Sequence, residues 1–275
     1  MDAQDGAALP FITDKPLEGP PDCSWKSFAY PQLRAFPSSH TEIKFGEMLG
    51  AGVDGVVWKA HINKQVYAVK VFWQNLEPVD SRYWAFERES CNVAILQMIQ
   101  TAIQRAKRPI HLRSHPQKPR HITANLHAFS TEGQERQSSR EYSPPKYIAV
   151  SKLPRFRQCF GWTTVPGTML TSLPLRIQAK RTGDSKLHFP DLEDDERYYA
   201  IVYEYIPVDM ESAPTAEEIQ EGLDLLWRSG FCFAPCLPAA NWASGILLDM
   251  ADLIYPWDND WQWFLYRRVR PEKWS

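Results

Sequence analysis

Three glycines and a lysine carry the first chemical suggestion in this chain. Gly50, Gly52 and Gly55, with Val57 two positions on, satisfy a G-x-G-x-x-G-x-V spacing, and Lys70 follows 15 residues after Gly55 in Ala68-Val69-Lys70. Glycine has no β-carbon to hold a backbone away from a phosphate, and it adopts tight-turn dihedrals readily. An ammonium set next to such a turn neutralises phosphate oxygens. Buried, that ammonium needs an acid partner. Glu89 is the first choice and Glu87 the alternative. The plainer reading of the same residues is an ordinary hairpin turn with a structural Lys70–Glu89 pair.

The surrounding elements narrow the choice. EIKFGEMLGAG and VDGVVWKAHI read as strands entering and leaving the glycine turn, and QVYAVKVFW reads as a third strand. Because VVWKA continues as a strand, the helix that a dinucleotide fold places directly after its glycines is missing. A helix over 82–104 is predicted to cover the sheet. Phe86, Val93 and Leu96 recur at helical spacing, Ile99 and Ile103 continue a rotated stripe, and Glu89 lies on the Phe86/Val93 face. A strand pair is expected at KYIAVSKL and RFRQCFGWTTV, and a central strand at YYAIVYEYIP, ended by Pro207. EEIQEGLDLLWRSG predicts a helix closed by Gly230, followed by a short strand pair around Asn241 to Asp249. These elements amount to an α+β fold with a five-stranded antiparallel sheet.

Composition limits the function classes. The 275 residues are 44% hydrophobic and 23% charged, which excludes a wholly disordered chain. A net charge of −2 offers no global attraction for nucleic acid. Five scattered cysteines read as free thiols of a reducing compartment. The opening residues lack the pattern of a secretory signal, and no run of 18 apolar residues occurs, so a soluble intracellular protein with no membrane partner is expected. Residues 1–40, with six prolines, read as a tail or a wrapping arm.

Two stretches read as insertions, near 104–146 and 165–196. The first contains Arg105, Lys107, Arg108, Arg113, Lys118 and Arg120 with four histidines and no acid before residue 132, and reads as a solvated basic loop. A phosphate contact through 104–121, or a contact with the acidic 191–196 run of the same chain, are its alternative uses. Pro109 and Pro116 oppose a shared helix for His111 and His115, which argues against zinc. Cys236 has no histidine near it in sequence and does not read as a nucleophile.

LGAGVDGVVWKA, YAVKVFW, FERESCNVAIL and AIVYEYIP together resemble the protein-kinase-like fold. With QCFGW and NWASGILLDMAD added, the chain is similar to the fungal Sim4-complex kinetochore subunit family over roughly 42–252. The resemblance implies a Pro-rich arm at 1–40, a kinase-like N-lobe at 41–207 carrying both insertions, and a truncated C-lobe at 208–275. It places Gly50, Gly52 and Gly55 over phosphates, Val57 and Ala68 around an adenine ring, and the Glu204-Tyr205-Ile206 backbone along the adenine edge. Tyr203 takes the gatekeeper position, where together with Trp73 or Met250 it is expected to crowd the adenine space. Lys70 with Glu89 would serve the phosphates, and Asn241 and Asp249 the magnesium, so ATP and Mg are the implied cofactors. Protein subunits of a larger complex are the implied partners, in the nucleus, with the cytoplasm as the alternative.

The departures from a complete kinase matter as much. Five residues before Asn241 stands Cys236, counting from the preceding helix gives Pro235, and FCFAPCLPAAN contains no His-x-Asp. Loss of a catalytic base removes about 10²–10⁴ in rate. Only 8 positions separate Asn241 from Asp249, and the 26 residues after Asp249 leave no room for a helical substrate platform. The aromatic end, with Trp257, Trp261, Trp263, Phe264 and Tyr266, is expected to cover a short second lobe, a membrane-surface helix being the alternative. The expected function is a non-catalytic, pseudokinase scaffold or interaction subunit of a kinetochore complex. The alternatives are an atypical ATP-dependent kinase using Lys70, Asn241 and Asp249, and a nucleic-acid-associated protein.

Overall fold

Paired β-branched runs and one long helix organise the chain, as a computed structural model describes it for residues 8–37, 43–79, 83–139, 141–178, 192–207, 215–233 and 242–270. The arm forms β1 (Ile12–Pro16), α1 (Trp25–Ala29) and β2 (Leu33–Ala35). Then come β3 (Lys44–Ala51), β4 (Gly55–Ile62), β5 (Gln65–Phe72) and the helix α2 (Ala85–Arg105). β6 (Ile110–Arg113), α3 (Pro119–His127), α4 (Thr131–Gln137) and β7 (Tyr147–Val150) follow. β8 (Cys159–Pro166), α5 (Gly167–Thr171), β9 (Arg197–Glu204) and α6 (Ala216–Arg228) come next. The described chain closes with the two-residue strands β10 (Cys232–Phe233), β11 (Trp242–Ala243), β12 (Ile246–Leu247) and β13 (Leu253–Ile254), with a 3-10 turn at Met250–Asp252.

The main sheet has the order β1-β2-β8-β9-β5-β4-β3. Its five expected strands, β3, β4, β5, β8 and β9, are antiparallel neighbours. The expected count of five is corrected to seven, because the arm adds β1 and β2 in parallel along the β8 edge. Gly161 makes this addition feasible. Its φ is +118°, and a β-carbon there would stand 2.7 Å from both Arg34 O and Phe36 N. Only glycine lets β2 come that close, and the Phe36 amide then donates to Trp162 O at 2.7 Å. Phe11, Phe28 and Leu33 sink into the main core, so the arm wraps the body.

α2 crosses one face of this sheet and is buried almost all round, since β2 and the Met250–Ile254 segment pack against its other sides. The opposite face is covered by α5 and its neighbours, where Trp58 Nε1 donates to Ile177 O at 2.7 Å. Residues 192–196 belong to this second face. Leu192 packs there, the Gly167 amide donates to Glu196 O, and the described residues give the acidic run no contact with the basic stretch.

Two further expectations are corrected. β7 pairs with β6, not with β8. The 104–131 stretch is also no solvated loop, because Ile110, Leu112, Leu126 and Phe129 enter the main core and Ile122 packs under α6 and Tyr266. Burial alternates along β6, and Arg105, Lys107, Arg108, Lys118 and Arg120 stay exposed while the backbone around them is structured. The other edge of β6 is closed by side-chain amides that imitate a strand. Gln137 bridges the amide and carbonyl of His111, and Asn125 does the same for Arg113.

Candidate functional site

Strand register builds the site. Lys70 on β5 stands opposite Val57 on β4 and Ile201 on β9, and Val57 stands opposite Gly50 on β3. Directly opposed residues share a sheet face, here the one beneath α2. The next row on this face holds Lys59, Ala68, Tyr203 and Cys159. α2 brings Glu89 down to this surface. The turn leading into Met250–Asp252 brings Asp249 to it from the far end of the chain.

Lys70 Nζ donates to Glu89 Oε2 at 2.6 Å and to Asp249 Oδ1 at 2.8 Å. The second Glu89 oxygen accepts the Tyr203 hydroxyl at 2.6 Å, and Asp249 Oδ1 also accepts the Ala251 amide at 3.0 Å. Burial opposes the charge on Lys70, but the Asp249 and Glu89 carboxylates outweigh it and hold the ammonium above its ordinary range. Burial also works against Asp249, which the Lys70 ammonium nevertheless keeps below the usual carboxylate value. Glu89 is the strained member: burial, with Asp249 nearby, pushes it up to about 7 despite its bonds to Lys70 and Tyr203.

Arg157 completes the site. Its guanidinium lies over the Tyr203 ring at 4.6 Å, Nε donates to Glu204 O at 3.2 Å, and Nη1 donates to Leu248 O at 2.9 Å. It thus spans from the end of β9 to the residue before Asp249, and only 9% of it reaches solvent. Lys59 closes the row from β4, with its ammonium 4.5 Å from the Tyr205 ring.

The glycine turn is held down onto the same region. Gly52 N donates to Gly55 O, and the Trp73 indole donates to Gly52 O, each at 2.9 Å. Asp54 accepts the Tyr83 hydroxyl at 2.9 Å, and the Arg88 guanidinium covers the Tyr83 ring at 4.3 Å. Arg88 itself grips Asp258 through two bonds and also pairs with Asp260. A β-carbon at Gly55 would meet Val71 O at 2.1 Å, so this glycine is demanded by the hairpin's own packing, while those at Gly50 and Gly52 would meet nothing within 4 Å.

Lys70, Glu89 and Asp249 therefore meet, with Val57 and Ala68 on the same face. Glu87 does not join them and sits half-buried near Asp258. Trp73 packs in the core on the opposite sheet face from Ala68 and Tyr203, which corrects its expected place in the adenine space. Glu204 ends β9, with its carboxylate on Arg155 at 2.7 Å, and the partly buried Ile206 follows two residues on. Asn241, Cys236 and Pro235 lie outside the described residues. Sequence reasoning missed Arg157, which lies just before β8 and is placed by its bonds to Glu204 O and Leu248 O, partners distant in sequence. It missed Arg88 and Tyr83 as well.

The sequence model of a family described as the kinetochore Sim4 complex subunit FTA2 matches residues 18–143, less than half of the 275. This span takes in most of the arm, the glycine hairpin, Lys70 and all of α2, and stops before β7. Comparison with curated proteins and with solved structures returned no match.

Among the described residues, the groups expected to meet ATP already have partners within the chain. An adenine edge against Glu204 would have to displace Arg157 from the carbonyl it already holds. A phosphate at Lys70 would compete with two carboxylates in contact with the ammonium. Among the described residues no group of three or more His, Cys, Asp or Glu is arranged to hold a metal ion. As it stands, the cleft's chemistry is internal ion pairing.

Proposed function

We propose that this protein is a non-catalytic subunit of a kinetochore-type complex, built on a kinase-like two-lobe framework whose nucleotide cleft has become a structural joint. The observation that carries the reading is the Arg157 guanidinium held between the Glu204 and Leu248 carbonyls. It closes the adenine side, while Asp249 and Glu89 neutralise the lysine on the phosphate side. The family match over 18–143 supports the complex and, with it, a chromosomal place in the nucleus. In this reading Lys70, Glu89 and Asp249 retain their positions because they tie β5, α2 and the C-terminal segment together.

Calorimetry with ATP and magnesium tests the cleft, and a flat titration is expected. Saturable micromolar binding would favour the atypical-kinase reading, which draws on the same Lys70–Glu89 pair. A fluorescently tagged chain tests the setting, with centromeric foci expected. Uniform cytoplasmic signal throughout division would overturn the kinetochore assignment.

A further inference from the structure

A groove of about 900 Å³ opens between the arm, the C-terminal end of α2 and α4. Its lining begins at Thr101, about 18 Å along α2 from Glu89 at 1.5 Å per residue, and it is separate from the cleft. Its lining mixes the partly buried Pro21 and the exposed Pro109 with polar residues such as Thr101, Gln134 and Gln137, and Arg105, Lys107 and Arg108 line it too, all exposed. Among the described residues these three cations form no ion pair.

Two acids share the groove with them, Asp22 and Glu135. Asp22 lines the groove, but its carboxylate accepts the Ser24 and Ser27 hydroxyls at 2.8 and 2.7 Å, which hold it below the usual range. Glu135 is the other acid of the lining. The acidic 192–196 segment is folded against the far sheet face. Three cations without an ion pair among the described residues thus stand against two carboxylates in the lining, with Arg108 also donating to Ser138 O at 3.5 Å, in a chain whose net charge is −2.

We propose that this groove receives an acidic peptide segment of a partner protein, one that alternates carboxylates with apolar side chains. The carboxylates would meet Arg105, Lys107 and Arg108, and the apolar side chains would rest on Pro21 and Pro109. Charge complementarity identifies the occupant. A nucleic-acid strand fits less well, because its phosphates repeat along a track, whereas these cations lie within four consecutive residues.

Fluorescence anisotropy of the full chain with a dye-labelled peptide of alternating glutamate and leucine tests this. Saturable, salt-weakened binding is expected, reduced about tenfold or more in the triple variant Arg105→Glu, Lys107→Glu, Arg108→Glu. Arg267→Glu with Arg270→Glu, which changes charge outside the groove, should bind as the wild type does. If the triple variant melts early, the milder pair Lys107→Gln with Arg108→Gln replaces it and must still weaken binding. No saturable peptide binding, undiminished binding by the groove variants, or displacement of the peptide by an equal or lower concentration of single-stranded DNA would each overturn the proposal.

Discussion

At Lys70 one cation answers two carboxylates, and removing it does more than delete a contact. Lys70→Met would leave Glu89, fully buried, without its cation. Breaking one side of a buried pair costs about 3–5 kcal/mol, because the remaining charge stays desolvated. Urea unfolding of Lys70→Met should show a loss of that order. Adding Glu89→Gln should restore part of it, since the orphaned carboxylate disappears. Strictly additive losses would mean that the two residues are not coupled. A Lys70 substitution therefore reports first on stability, and a lost activity in that variant would say nothing about phosphate by itself. Lys70 and Glu89 could be read as partners from the sequence because strand and helix periodicity place them face to face. Asp249 lies 179 positions away, and no local pattern links it to Lys70.

At the scale of elements, the glycine hairpin separates into positions with different duties. Gly55→Ala places a β-carbon 2.1 Å from Val71 O, so β4 and β5 must separate. Gly52→Ala enters open space. Thermal unfolding should show Gly55→Ala destabilised by about 2 kcal/mol or more and Gly52→Ala within about 0.5 kcal/mol of wild type. Equal effects at both positions would contradict the packing seen here. α2 shows how far an amphipathic pattern can mislead. Its apolar stripe predicted one buried face, yet its polar residues are buried too, as tethers. Asn92 Nδ2 donates to Met250 O and Leu253 O, both at 2.8 Å, and Arg88 holds Asp258. Those partners belong to the far end of the chain, so the FERESCN sequence reads as half-exposed until the end is folded against it.

For the molecule as a whole, the buried ion cluster makes stability depend on pH. A glutamate in the unfolded chain titrates near 4.5, while folded Glu89 is pushed up to about 7 by burial. Between these values the folded state holds a proton that the unfolded state has released, so this group's contribution falls as pH rises through the window. The lowered value of Asp249 acts below 3.8, and the raised value of Lys70 leaves it charged throughout. The stability of wild type relative to Glu89→Gln should therefore decline from pH 4.5 to pH 7. A flat or rising difference across that range would refute the burial of an unbalanced Glu89.

What the amino-acid order determined alone was local: five strands, the α2 helix, the hairpin with its glycines, and the facing of Lys70 and Glu89. Each follows from periodicity or steric rules acting within a few residues. The tertiary structure alone decided that the proline-rich arm lengthens the sheet, that the basic stretch is folded, and that Arg157 stands across the cleft. These depend on contacts between segments distant in sequence, where a neighbour's backbone, rather than the residue's own preference, selects the partner.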